Sequence, residues 1–236
     1  VVCEDIWGAI KRFGDFHPDL ALVIDSFAED IMSQQGIYAH VIGDIASATD
    51  VDYPEGHKLA HDEISQHTKA SVLIVGDHVD VAIELVALTV DCIRREPDPS
   101  TFVIIPRLVH PKQVSDPKNQ TVLQKAKELL KGLNTDPYEG VSTDALAAYC
   151  DYTICAFSTP LRIAVHHGKR GVAVNAPCSQ ALLKKETGFD QFPLVTQGVV
   201  PSLCDPTTLS SLDWRSFGEK AKIWARSARF HPGDKF

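Results

Sequence analysis

The chain is poor in the features that most quickly assign a function. No apolar run approaches the ~18 residues needed to cross a bilayer. The sequence therefore predicts no membrane span and leaves only peripheral association open. Its start carries no signal-peptide pattern, and its cysteines, read below as reduced, set the expected location as cytoplasmic. Positive charge is in deficit: Lys and Arg total 23 against 31 Asp and Glu, a formal net charge of -8. A general nucleic-acid binder would show a basic excess, so that class of partner is not expected. Six cysteines (Cys3, Cys92, Cys150, Cys155, Cys178, Cys204) form no CxxC pair and no Cys/His ligand spacing. They read as reduced thiols, three of them in apolar segments, and no metal is expected. Neither GxGxxG nor GxxxxGK[ST] occurs, so the dinucleotide and P-loop fingerprints are absent and no cofactor is expected. Without a GxSxG elbow, an α/β-hydrolase is disfavoured too.

What is present is alternation. With 236 residues and 44% hydrophobic content, the chain can bury one large core or two modest ones. Short β-branched runs over residues 20–24, 37–42, 70–75, 101–108, 152–157 and 171–176 read as buried strands. Between them, helices are expected over 28–35, 79–96, 121–133 and 161–167, with weaker helical patterns over 3–13 and 59–68. Asp80, Glu84, Asp91 and Arg95 form a stripe on the helix over 79–96, read as its solvated side. Strands alternating with helices imply an α/β fold: a Rossmann-like parallel sheet with helices on both faces. Residues 45–57 turn polar and irregular. The expected division is thus a partial α/β lobe over 1–57 and a Rossmann-like domain over 58–236.

In open parallel sheets, ligands bind beyond the carboxyl ends of the strands. That rule selects four loops, carrying Asp25-Ser26, Gly76-Asp77-His78, Arg107 with His110, and Ser158-Thr159. Together they offer a guanidinium, imidazoles, hydroxyls, carboxylates and a glycine, a mixture suited to a phosphorylated ligand. In the last loop, Ser158-Thr159-Pro160 opens a helix whose free N–H groups suit an anion. Ser158 also reads as a plain N-cap, Arg107 as a surface ion-pair partner and His110 as part of a turn. His166-His167 complements the dipole at a helix end. Asp50-Val51-Asp52 has the DxD pattern of a metal site but lacks the preceding apolar strand.

The quoted residues resemble a known family. KASVLIVGDHVDVAIELV, TFVIIPRLVHP and LAAYCDYTICAFSTPLRIAVHHGKRGVAVNAP are similar to successive units of the C-terminal, nucleotide-sugar-binding domain of GT-B glycosyltransferases and the related UDP-N-acetylglucosamine 2-epimerases. The resemblance implies a GT-B-like fold with a small or truncated N-terminal lobe. It implies a nucleotide-sugar donor and an acceptor that the sequence does not identify. In the family, the turn matching Ser158 and Thr159 lies against the donor's phosphates. The family's ribose-binding Glu is replaced by Ile163, by spacing back from Gly168-Lys169, and Arg170 stands where Pro is common. Trp214, Phe217, Ala221, Trp224 and Ala228 form one helical stripe, with Lys220, Lys222, Arg226 and Arg229 on other faces. In the family a C-terminal helix crosses back to the first lobe.

The expected function is therefore glycosyl transfer from a nucleotide-diphosphate sugar. Arg107, Ser158 and Thr159 would hold the diphosphate, and Gly76 would permit close approach. Asp77, His78 and His110 would border the sugar or diphosphate, and Asp25 would act as general base. The alternative is a non-catalytic Rossmann-like module for a ligand or protein partner. A phosphatase reading of Asp25 needs a second Asp two residues on, where Phe27 stands.

Overall fold

The computed structural model describes residues 2–3, 18–48, 54–76, 78–138 and 140–230. Asp50, Asp52, Asp77 and nearly all of the helix expected over 3–13 lie outside the described residues. Cys3, at the edge of that expectation, belongs instead to β1 (Val2–Cys3).

The β-branched runs form parallel strands in two sheets. β1 pairs with β2 (Ala21–Val23), and β2 with β3 (Ala39–Val41). The larger sheet holds β4 (Ala70–Val75), β5 (Phe102–Arg107), β6 (Tyr152–Cys155), β7 (Arg170–Val174) and β8 (Ser202–Leu203). Their order is β5-β4-β6-β7-β8, all parallel, so the order reverses between β4 and β6. Alternate residues enter opposite cores. Leu73, Val75, Ile105 and Ala173 belong to one cluster, and Val72, Ile74, Ile104 and Val172 to the other. Both faces of the sheet are therefore covered, as its near-continuous apolar strands require. The first cluster also takes in Ala21, Val23, Ala28 and Met32 from the smaller sheet and its helix, so one core joins the two sheets.

The helices are α1 (Ser26–Gln34), α2 (Pro54–Ser65), α3 (Val79–Arg94), α4 (Pro117–Leu129), α5 (Thr143–Tyr149), α6 (Thr159–His166), α7 (Pro177–Thr187), α8 (Pro193–Thr196) and α9 (Trp214–Ser227). Two of them start four or more positions earlier than the periodicity indicates, each at a proline. α2 begins at Pro54, inside the stretch read as irregular, and a short 3-10 turn occupies 45–48. α4 begins at Pro117 because Asp116 caps it, accepting from the Lys118 N–H at 2.8 Å. Neither α7 nor β8 was expected. Pro177 in the first turn of α7 and Gly188 at its end, with φ of 85°, were the available signals.

One residue of the supposed solvated stripe has a structural task. Glu84 accepts from the Cys178 and Ser179 N–H groups and from the Ser179 hydroxyl, at 2.9–3.0 Å, and so caps α7 from α3. A carboxylate there also faces the positive end of the helix dipole. The aromatic stripe of α9 docks at both of its ends. Trp214 meets the Tyr152 ring edge-on at 5.6 Å between centroids, while Trp224 and Ala228 are buried against the smaller sheet. Beyond the helix, Arg229 forms a parallel bridge with Asp44, and the Asp44 N–H donates to the Ala228 carbonyl.

Candidate functional site

The point where the strand order reverses is built from the ends of β4 and β6, with the end of β5 beside them. Register places Val75 opposite Arg107, so Gly76 meets Leu108. The Gly76 N–H donates to the Arg107 carbonyl at 2.9 Å, and a Cβ on Gly76 would lie 2.6 Å from the Leu108 carbonyl oxygen. Close approach here is between two strand ends of the protein itself. Arg107 Nη2 donates to the carbonyls of Tyr138 (2.6 Å) and Val141 (2.9 Å), fastening the segment before α5 to the end of β5.

His78 caps α3 with its backbone and is exposed, its ring tilted over Phe157 at 6.5 Å between centroids. That contact joins the loop after β4 to the loop after β6. His110 is exposed, and its Nδ1 accepts from the Lys112 N–H at 3.2 Å. A cleft of about 730 Å³ brings Gly76, His78 and His110 together. It adds six polar residues absent from the expected set: Lys112, Gln113, Ser115, Asp116, Lys118 and Asn119. Lys112 and Lys118 were overlooked because they follow the strand end by five and eleven positions, beyond the loop first selected.

Ser158 and Thr159 stand on the β6 side, outside that cleft's lining. Ser158 occupies the N-cap of α6, yet its side chain makes no capping bond, and its buried Oγ has no hydrogen-bond partner among the described residues. Thr159 Oγ1 accepts from Arg162 Nη2 at 3.2 Å. Arg162 and His166 lie three and seven positions on from Thr159, so all three share a helix face. This face, turned to the smaller sheet, meets Asp44: His166 Nε2 is 3.0 Å and Arg162 Nε 3.6 Å from Asp44 Oδ2. Burial alone would raise the Asp44 carboxyl, but the His166 hydrogen bond and the Arg162 charge carry it below its ordinary value. Sequence pattern assigns His166 a dipole role and does not bring Arg162 and Asp44 together. The i, i+4 spacing of Arg162 and His166 was the signal that could have paired them.

Two expectations change. Ile163, placed by spacing in the ribose-binding slot, is fully buried in the core, so it does not point towards a ligand from α6. Asp25, expected as general base, is only 3% exposed. Its Oδ1 caps α1 by accepting from the Ala28 N–H, and its Oδ2 accepts from the Trp224 indole at 2.8 Å and from Gln197 at 3.2 Å. A carboxylate so buried and so engaged acts in the fold as a clasp between β2, α1 and α9. Among the described residues, no group of three or more His, Cys, Asp or Glu is placed to hold a metal. None of their helices is long and apolar enough to cross a membrane.

No family profile matches the chain, and no curated protein matches its sequence. Solved structures do match in fold. UDP-GlcNAc 2-epimerase from Neisseria meningitidis bound to UDP-GlcNAc superposes with a TM-score of 0.52 at 12% identity, over 90% of this chain and 57% of that one. An α,α-trehalose-phosphate synthase (UDP-forming) from Burkholderia vietnamiensis gives 0.50 at 13% identity, over 90% and 58%. This chain spans less than two thirds of either. The likeness shows the fold: the α/β arrangement of the GT-B glycosyltransferases and UDP-GlcNAc 2-epimerases.

Proposed function

We propose that this chain binds a nucleotide-diphosphate sugar at the crevice beyond β4, β5 and β6 and serves transfer of the sugar to an acceptor, as in GT-B glycosyltransferases. The observation that carries the reading is Ser158: a buried hydroxyl without a hydrogen-bond partner among the described residues, at a helix N-terminus, where the strand order reverses. In this reading Ser158 and Thr159 bind the diphosphate together with the N–H groups of the first turn of α6. His78 and His110 border the sugar or the leaving phosphate, and either imidazole can accept a proton from an acceptor hydroxyl. Arg107 acts as a positioning residue through the carbonyls it holds, and Asp77 is assigned a contact to the sugar or diphosphate. Donors arranged before reaction stabilise the charge that develops on the departing diphosphate.

A second reading, a non-catalytic ligand-binding module, is favoured by one observation: the carboxylate expected to act as base is buried in the clasp with Trp224. Both readings are tested by titrating UDP, CDP and GDP into the full chain and following ligand-observed NMR. Selective binding that weakens in Ser158→Ala, with slow hydrolysis or transfer of the matching sugar nucleotide, supports the transferase. Selective binding with no turnover supports the module. No binding of any nucleotide diphosphate overturns the transferase and leaves the module, for another ligand or a protein partner.

A further inference from the structure

On the far side of Leu108 from the polar cleft, a second cavity of about 740 Å³ runs between β5 and α4. Leu108, Leu123, Ala126, Leu130 and Leu133 give it an apolar lining. We propose that this groove binds the hydrocarbon chain of a single-chain anionic amphiphile of the alkyl-phosphate type. Its volume lies in the range of small-molecule sites, about 300–1,000 Å³. Leu123 and Leu133 remain half-exposed there, so apolar surface is open to a ligand.

Charge selects the head group. Exposed Lys127 and Lys131 border the groove, and Glu128 is the acidic member of its lining. The chain as a whole carries -8, yet residues 125–131, along and just past the end of α4, hold Lys125, Lys127 and Lys131 against Glu128. The groove thus opens within a locally basic stretch of an acidic protein, which attracts an anion and repels a cation. Lysine stems can also lie along the bound chain while their ammonium groups reach its phosphate. A second copy of this protein, seated symmetrically, would set the same lysines against each other. The proposal does not depend on the nucleotide-sugar reading.

The test titrates octyl, decyl and dodecyl phosphate, below their micelle concentrations, into the full chain by calorimetry. Inorganic phosphate and decyltrimethylammonium serve as controls. Affinity is expected to rise about fourfold per added methylene, with both controls at least about tenfold weaker than decyl phosphate. Leu123→Glu, at a half-exposed position, should abolish alkyl-phosphate binding and leave the UDP response unchanged. The double change Lys127→Glu and Lys131→Glu should weaken decyl phosphate about tenfold. Flat dependence on chain length, equal binding of the cationic control, or undiminished binding in Leu123→Glu overturns the proposal. So does a self-association that Leu123→Glu abolishes, which would assign the groove to a second copy.

Discussion

Asp25 accepts a 2.8 Å hydrogen bond from the indole N–H of Trp224, 199 positions further along the chain. The bond ties the carboxyl end of β2 to α9 and is buried. Trp224→Phe keeps an aromatic ring but removes the donor from a buried carboxylate. Stability should fall by about 2 kcal/mol, read as a lower urea midpoint at an unchanged slope. A variant as stable as the parent would mean that the bond contributes nothing.

Ser158→Ala separates folding from binding. Its Oγ has no hydrogen-bond partner among the described residues, so removing it should change stability by less than about 0.5 kcal/mol. If Ser158 binds a diphosphate, the same change should weaken UDP about tenfold, the loss of one hydrogen bond to a charged group. Equal UDP affinity in parent and variant would remove Ser158 from the site.

Gly76→Ala tests the other side of the reversal point. The new Cβ would sit 2.6 Å from a backbone carbonyl that cannot rotate away. Melting experiments should show a loss of about 1–3 kcal/mol from overpacking. Unchanged stability would show that the two strand ends separate easily.

Acid should loosen the contact between Asp44 and α6. The Asp44 carboxyl is held below its ordinary value of 3.8 in the folded chain. Its stabilising contribution is fully present above that pH and is lost as pH falls through the lower folded value. Asp44→Asn should therefore be destabilised at pH 7 and should flatten the fall in stability below about pH 4. Chemical denaturation at stepped pH reads this directly, and an unaltered acid slope would assign the slope to other carboxylates.

The apolar runs made the larger sheet legible, because strands buried on both faces leave continuous β-branched sequence such as SVLIV and FVII. Strand ends followed, and with them the loops bearing Gly76, His78, Arg107, His110 and Ser158. What those side chains do there was not legible. Arg107 turned to carbonyls more than thirty positions away, and Asp25 to an indole at the other end of the chain. Such pairings depend on how elements pack, which local pattern does not encode. Ile163 shows the same limit within one helix, since counting back from Gly168 gave a slot but not the face it lay on. Helix starts at Pro54, Pro117 and Pro177 were missed where hydrophobic period outweighed the proline itself.

The smaller sheet has a consequence for the order in which the molecule forms. Gly43 and Asp44 rest on the backbone of residues 228–230, and Asp25 on Trp224. These contacts close loops of nearly two hundred residues, the slowest kind to find. During synthesis, residues 21–44 must wait for α9 to leave the ribosome before their last partners arrive. Residues 21–44 are thus made long before their last partners, and the apolar faces they bury against α9 stay uncovered until it docks.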